Sequence, residues 1–387
     1  MAASGSVMDP RDWLVRLERR AQLRATAGLT RELRPRGPGD DVIDLAGNDY
    51  LGLARHPDVL AAAAAALREY GLGATGSRLV RGATDAHAAL EAGLADLMRQ
   101  PAALVYSSGY LANLGAISAL VAPRGAVLID AHAHASLHDG CRLSGARARS
   151  FAHSDVAALR AELARLPGSP VVVVTESVFS VDGDLAPLRG LHAACREAGA
   201  VLLVDDAHAL GVLGPAGAGA VVDSGLAGEP DVVVTATLSK AVGAAGGVVA
   251  GPIALRRHLV DTGRTFVYDT ALPPSVAAGA LAGLALSRAA DDKRDVVRSR
   301  ARQAFGRLRA AGLAAREPAA GVVPVAAPSA EAAVAWAAAC REKGVAVGCF
   351  RPPSTPNPTS RLRLTINAGV ASSDFDHALD VVIAAAP

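Results

Sequence analysis

Short apolar runs that alternate with helical segments constrain the fold of this chain more than any other feature. Strands without polar alternation are buried on both faces, which is typical of a mainly parallel sheet covered by helices. The last two runs are joined by a loop too short for a helix, so we expect one antiparallel strand. The predicted strands are residues 103–107, 126–130, 171–175, 200–206, 231–237 and 246–251.

A second pattern begins at about residue 273. It predicts two long helices and then a small α+β unit, with helices over 273–288, 292–312, 330–342 and 373–385 and strands over 321–325, 345–349 and 361–366. The chain is also long enough for an α/β enzyme with an appended lobe. We therefore predict an N-terminal helix and linker (1–47), a large α/β domain (48–288) and a small C-terminal α+β domain (289–387).

Composition limits the partners of the chain. It has 39 basic and 37 acidic residues without a basic run, so there is no electrostatic case for a nucleic-acid partner or an anionic membrane. The apolar runs are too short to span a bilayer, and the first residues lack the apolar stretch of a signal peptide. The four cysteines are scattered and form no pair motif. We expect a cytoplasmic protein with no membrane partner.

Lysine is rare in this chain. Only Lys240, Lys293 and Lys343 are lysines among the 39 basic residues. An amine can lose its proton and act as a nucleophile, whereas a guanidinium stays charged. Lys240 ends the segment TLSK directly after a predicted buried strand. It is therefore a candidate for covalent chemistry.

Two other motifs carry less weight. GLGATG (71–76) fits the GxGxxG pattern of dinucleotide sites, but that pattern requires a preceding strand, and we predict a helix there. AHAHASLH (131–138) contains His132, His134 and His138, some of which have the spacing of metal ligands. The glutamate of an HExxH motif is missing, so we expect no metal. Either a polar loop or one histidine facing a ligand explains the segment.

Three motifs together predict a cofactor. SSGYLAN (107–113) follows a strand and opens a helix, where free backbone N–H groups can bind a phosphate. VDDAHALG (204–211) places Asp205 at the end of a strand, the edge at which open α/β sheets bind ligands. An amine, a carboxylate and a phosphate cradle at one edge match pyridoxal 5'-phosphate (PLP), and the small residues after Lys240 would leave room for its ring.

These motifs occur in the order of a known family. The series is NDYLGL (48–53), TGSRLVRG (75–82), SSGYLAN, AHASL (133–137), TESVFSVDGD (175–184), VDDAH, TLSKAVG and FRPPSTP (350–356). The chain thus resembles the α-oxoamine synthases, which are fold-type I PLP-dependent transferases. The resemblance implies a mainly parallel sheet between helices, with a smaller C-terminal α+β domain. FRPPSTP favours condensation of L-alanine with a pimeloyl thioester in biotin synthesis; condensation of glycine with a short acyl-CoA is the alternative.

The resemblance also implies roles for individual residues. Lys240 would hold PLP as a Schiff base and move the amino-acid Cα proton, and Asp205 would pair with the ring nitrogen. His134 would stack on the ring, and His208 and Ser180 would bind its phenolic oxygen. The groups at the phosphate and the ring edge would be Ser108, Gly109, Tyr110 and Thr237.

Substrate and subunit contacts follow from the same resemblance. Arg31, Asn48 and Ser354, together with His134, would bind substrate; Thr30 stands where the family usually has the arginine that meets the substrate carboxylate, with Arg31 adjacent. Ser354 replaces the usual threonine and keeps the hydroxyl. The family pattern implies a homodimer with shared active sites, in which Thr270 would reach the partner's phosphate. Its neighbour Asp269 replaces a frequent serine.

Overall fold

A computed structural model describes residues 9–122, 124–355 and 357–387. Residues 1–8 of the predicted N-terminal segment and the last proline of FRPPSTP lie outside this range. The described strands are β1 (Ile43–Leu45), β2 (Ala102–Tyr106), β3 (Ala126–Asp130), β4 (Arg147–Phe151), β5 (Val171–Glu176), β6 (Val201–Asp205), β7 (Val232–Thr237), β8 (Gly247–Gly251), β9 (Val322–Ala326), β10 (Val345–Phe350) and β11 (Arg361–Thr365).

Helices account for most of the remaining chain. They are α1 (Asp12–Thr26), α2 (Pro57–Tyr70), α3 (Asp85–Leu97), α4 (Gly109–Leu120), α5 (Ala135–Ser144), α6 (Val156–Leu163), α7 (Leu188–Ala198), α8 (Ala220–Asp223), α9 (Ile253–Thr262), α10 (Arg264–Val267), α11 (Pro274–Arg288), α12 (Asp291–Ala310), α13 (Ala330–Glu342) and α14 (Ser372–Ala384). Among the described residues, no helix combines the length and the apolar character needed to cross a membrane.

The large sheet confirms the α/β prediction. Its seven strands lie in the order β2-β8-β7-β6-β5-β3-β4, and β8 alone is antiparallel to its neighbours. The strands are buried on both faces: Val173 and Val174, which point to opposite sides of β5, are both 0% exposed. The carboxyl ends of the parallel strands therefore meet at one edge.

The edge strand β4 was missed by the sequence prediction. It reads RARSF, and only its last residue is buried. A strand at the edge of a sheet keeps charged side chains in solvent, so it lacks the continuous apolar run that revealed the central strands.

The segment GLGATG has the context expected from the sequence. It follows helix α2 and precedes a single π-helical turn, Arg78–Gly82. A strand–turn–helix unit, which a dinucleotide site requires, is therefore not formed here.

A second sheet forms the smaller α+β part. Its order is β1-β10-β11-β9, with β1 parallel to β10 and the other pairs antiparallel. The predicted C-terminal strands and helices are confirmed, whereas the contribution of β1, some 300 residues away, could not be read from local pattern. The division at residues 47 and 288 stays a prediction; β1 joins the first segment to the third.

Candidate active site

The candidate site lies where the parallel strands of the large sheet end. Lys240 follows β7, Asp205 is the last residue of β6, and Glu176 is the last residue of β5. Glu176 and Asp205 are direct partners in the register of β5 and β6. His134 caps the start of α5, after β3. The topology thus brings together side chains from four strands.

Lys240 has an environment that favours its neutral form. It is half-buried, and the loss of hydration lowers the pKa of its amine to about 8, although Asp205 and Glu176 oppose the shift. Arg363 adds to the lowering by repulsion. An amine with this pKa is partly unprotonated near neutral pH, which nucleophilic attack and proton abstraction both require.

A chain of hydrogen bonds links Asp205 to His134. The side-chain amide of Asn113 donates to Asp205 Oδ2 at 2.7 Å and to Ser136 Oγ at 2.8 Å. Thr235 fixes this amide by donating to Asn113 Oδ1 at 2.6 Å. Ser136 Oγ in turn lies 2.8 Å from His134 Nδ1. Asp205 is therefore held with a fixed orientation at the floor of the site.

His134 lies at the mouth of the site. The ring is exposed, yet the protein atoms around it disfavour the cation and lower the pKa of His134, while the charge of Asp205 opposes this shift. The backbone N–H of Ser136 donates to His134 Nδ1 at 3.2 Å. An exposed, neutral ring of fixed orientation is suited to stacking on a planar ligand.

Two buried residues that the sequence analysis had not selected complete the cluster. Glu176 is 2% exposed and accepts the N–H of Ser180 at 3.1 Å; burial and the charge of Asp205 raise its pKa well above the usual value. Arg363, on β11, donates to the Ser180 carbonyl at 2.9 Å and to Asn48 Oδ1 at 3.1 Å. Arg363 thereby connects the smaller sheet to the site.

Sequence motifs contained both residues without revealing their positions. Glu176 lies in TESVFSVDGD and Arg363 in RLRLT, but each looks like an ordinary strand residue in isolation. The available signal was a charged residue inside an otherwise apolar strand, because unpaired charges are rarely buried without a function.

The predicted phosphate cradle is formed at the start of α4. Ser108 caps the helix and accepts the N–H of Leu111 at 3.2 Å. Thr237 lies beside it: a Cβ on Gly109 would come within 2.9 Å of Thr237 Cβ, so this close approach requires glycine. Tyr110 is turned outward, and its hydroxyl donates to Asp139 at 2.6 Å. The backbone of the first turn and Thr237 remain the phosphate ligands that we expect.

One interpretation of the sequence needs correction. The small residues after Lys240 were expected to leave room for a ring, but Gly247 serves protein packing. A Cβ at Gly247 would lie 2.4 Å from the Ser108 carbonyl oxygen. The glycine is needed to bring β8 against the start of α4.

An outer groove of about 1180 Å³ lies between the N-terminal segment and the smaller sheet. Arg31 and Ser354, both predicted substrate residues, meet here: the Arg31 guanidinium donates to Ser354 Oγ at 2.8 Å. Phe350 also lines the groove, and Arg363 stacks on its ring with 4.5 Å between the guanidinium carbon and the ring centre. Phe350 thus separates the groove from the inner cluster. Further arginines line it: Arg24, Arg34, Arg341 and Arg351.

Thr270 is the predicted site residue with the least support from a single chain. It is exposed, and its role was assigned to the partner's site. Asp269, its neighbour, contacts Ser107 Oγ through a short hydrogen bond. The segment therefore runs beside the phosphate cradle of its own chain.

The other histidines of AHAHASLH do not join the cluster at Lys240 in the same way. His132 Nδ1 lies 2.9 Å from Asp182 and its ring stacks on His153 at 4.0 Å. Two arginines also bind Asp182, Arg361 and Arg316. These contacts connect β3 to β11 and satisfy Asp182 with cations that the protein itself provides.

Comparison with known proteins identifies the class. The model of the family "aminotransferase class I and II" matches residues 40–382, so the chain belongs to this family. Two curated relatives are 8-amino-7-oxononanoate synthases. That of Mycolicibacterium smegmatis is 50% identical over 97% of this chain and 96% of its own length. That of Mycobacterium marinum is 49% identical, over 96% and 94%.

Solved structures agree with this assignment. A serine palmitoyltransferase from S. paucimobilis with bound PLP superposes with a TM-score of 0.90 at 33% identity, covering 98% of both chains. An 8-amino-7-oxononanoate synthase from Francisella tularensis superposes with a TM-score of 0.77 at 27% identity, covering 89% of this chain and 98% of the other. The fold-type I architecture expected from the sequence is thereby confirmed.

Proposed function

We propose that this protein is a PLP-dependent acyltransferase that condenses L-alanine with a pimeloyl thioester to give 8-amino-7-oxononanoate, CO2 and the free thiol, a step of biotin synthesis. The observation that carries the proposal is the half-buried Lys240, with its pKa lowered to about 8, beside Asp205 at the sheet edge of a chain 50% identical to such synthases. The reaction joins the alanine Cα to the acyl carbon and breaks the C–S and Cα–carboxyl bonds.

The residues present fit PLP. Lys240 supplies the amine, Asp205 a fixed carboxylate for the ring nitrogen, and the first turn of α4 with Thr237 the phosphate ligands. When bound, PLP withdraws electrons from the amino-acid Cα and so stabilises negative charge there. His134 would cover the ring, while His208 and Ser180 would face its phenolic oxygen. Ser108, Gly109 and Tyr110 provide the helix start.

Lys240 is also the group best placed to move a proton. Burial keeps its amine near the pKa at which it can both accept and return a proton close to neutral pH. Glu176 and Asp205 hold negative charge nearby, which limits how far the pKa falls. The same residue can therefore accept the Cα proton and deliver one to the product.

Arg363 and Asn48 would orient the amino acid. Arg363 is buried, and its guanidinium already bonds Asn48 and the Ser180 carbonyl. A guanidinium held in this way binds a carboxylate through charge-assisted hydrogen bonds. We assign it to the alanine carboxylate, with Asn48 as its neighbour.

The outer groove would receive the acyl donor. A pimeloyl chain is apolar with a terminal carboxylate, and the groove offers apolar walls together with the Arg31–Ser354 pair. Arg31, and not Thr30, carries the cation in this pair, which supports the sequence-based choice. Ser354 would share the carboxylate with Arg31.

We also propose a homodimer with shared active sites. Leu79, Val80 and Tyr268 are 51%, 83% and 74% exposed, and they lie in the two segments that the resemblance assigned to the subunit contact. Large exposed apolar side chains grouped in this way are typical of a protein interface. Thr270 would then reach the partner's phosphate. We place the reaction in the cytoplasm.

The function is tested by product formation. Purified protein with PLP is given pimeloyl-CoA and, in separate reactions, L-alanine or glycine, and both CO2 and the aminoketone are measured. The proposal expects alanine to give the higher kcat/KM. A preference for glycine with acetyl-CoA would instead establish the alternative, and no product with any pair would contradict an acyltransferase.

A further inference from the structure

A tyrosine outside the assigned set contacts His208 at the core of the site. Tyr50, in NDYLGL, is 0% exposed, and its hydroxyl oxygen lies 2.6 Å from His208 Nδ1. The two rings meet edge to face, with 6.1 Å between their centres and 74° between their planes. His208 is itself 3% exposed. This is a short, buried hydrogen bond between two side chains that are 158 residues apart.

The direction of the hydrogen bond follows from counting donors. If Nδ1 carried the proton, it would donate to the phenol oxygen, and the phenol O–H would be left in the interior without an acceptor among the described residues. If the phenol donates to Nδ1, that buried donor is satisfied. Leaving a buried donor unpaired costs about 1–3 kcal/mol, so the second arrangement is favoured.

The protonation states on both sides agree with this direction. Burial raises the pKa of Tyr50, although Arg363 opposes the shift, so the phenol keeps its proton. Burial also lowers the pKa of His208 well below its usual value, and Lys240, Arg363 and His134 add repulsion. His208 therefore carries one proton, and with Nδ1 occupied as an acceptor that proton is on Nε2.

We infer that Tyr50 is a positioning residue that fixes His208 as the Nε2–H tautomer and thereby gives the site a neutral hydrogen-bond donor. The consequence for catalysis rests on the proposed function, in which His208 faces the cofactor oxygen. The tautomer itself does not depend on that function. Neutral imidazole has two tautomers, and a partner on one nitrogen selects which nitrogen donates.

The tautomer is measured directly by 15N NMR of protein labelled at histidine, with and without PLP. The His208 signals are assigned as those lost in His208→Gln. We expect Nδ1 unprotonated and Nε2 protonated in the wild type, and a mixture of tautomers in Tyr50→Phe. A protonated Nδ1 in the wild type, or an unchanged tautomer in Tyr50→Phe, overturns the inference.

Tyr106→Phe is the matched control. Tyr106 is also a buried tyrosine whose pKa is raised by burial, but its hydroxyl has no hydrogen-bond partner among the described residues. It should leave the His208 signals and kcat unchanged, whereas Tyr50→Phe lowers kcat about tenfold, as expected for one hydrogen bond, with the KM for alanine nearly constant. An equal fall in kcat for both variants would indicate a merely structural role.

The two proposals can fail separately. If wild-type protein forms no product but shows the expected tautomer and its change in Tyr50→Phe, the proposed function fails and Tyr50 keeps its positioning role. If the product forms and the tautomer does not depend on Tyr50, the inference fails alone.

Discussion

The inner cluster around Lys240 and the outer groove at Arg31 differ in how the protein holds their charges. In the cluster, Asp205 and Arg363 are 6% exposed and tied by hydrogen bonds to residues on other elements. In the groove, Arg31 and Ser354 are exposed and bond mainly to each other. Buried charges have shifted pKa values and fixed positions, which chemistry needs, whereas exposed charges can adapt to a substrate's far end.

The largest expected effect is the loss of the amine at the centre of the cluster. Lys240→Arg keeps a positive charge but cannot form a Schiff base, so we expect kcat to fall by about 1000-fold or more. The assay is aminoketone formation with saturating PLP. Lys343→Arg, on the exposed end of α13, is the control and should retain wild-type activity. Comparable activity in the two variants would remove Lys240 from the mechanism.

Asp205→Asn tests whether the fixed carboxylate matters by its charge. The side chain keeps its size and can still meet Asn113, but the negative charge is lost, so we expect kcat to fall about 100-fold. Asp206→Asn is the neighbouring control, because Asp206 bonds Ser177 and the Ala220 N–H away from the cluster. It should lower the thermal unfolding temperature and leave kcat per folded molecule nearly unchanged. The reverse pattern would assign the role to Asp206.

The pKa of Lys240 also predicts a pH-dependent stability of the cofactor-free protein. Between about pH 8 and 10.5 the unfolded chain holds the Lys240 proton and the folded chain does not, so the folded state gains stability as the pH rises. Relative to Lys240→Met, the free energy of unfolding should rise with pH across this window by up to about 3 kcal/mol, and stay constant below it. Denaturant titrations at several pH values measure it; a flat difference contradicts the lowered pKa.

The smallest effects are expected from the two substrate arginines, and they should separate by substrate. Arg363→Lys loses a bidentate partner and should raise the KM for alanine about tenfold. Arg31→Ala should raise the KM for the pimeloyl thioester about tenfold and leave that for alanine unchanged. Arg36→Ala, exposed in the nearby linker, is the control for a general change of charge. If both variants alter the same KM, the division between cluster and groove is wrong.

The central sheet and its reactive edge could be predicted from the sequence because their signals are local. Each buried strand is a continuous apolar run, and Asp205 and Lys240 directly follow or end such runs. The parallel topology then brings these ends together without any knowledge of side-chain contacts. The same reasoning fails for β4, whose exposed arginines hide a strand at the sheet edge.

The residues that were missed depend on contacts across the sequence. Tyr50 meets His208 across 158 residues, and Arg363 meets Asn48 across 315. No periodicity connects such positions, since their proximity arises only when β11 and the loop after β1 pack on the large sheet. Long-range hydrogen bonds of this kind decide protonation and orientation, which is why the chemistry of the site was predicted less completely than its location.

The central claim is that Lys240 carries the cofactor, and it is tested most directly by trapping. The protein is loaded with PLP, reduced with borohydride, digested and analysed by mass spectrometry. The chain has three lysines, so Lys293 and Lys343 are internal controls. We expect the pyridoxyl group on the peptide containing Lys240 and a loss of labelling when L-alanine is added first. Label on Lys293 or Lys343, or none on Lys240, would contradict the account.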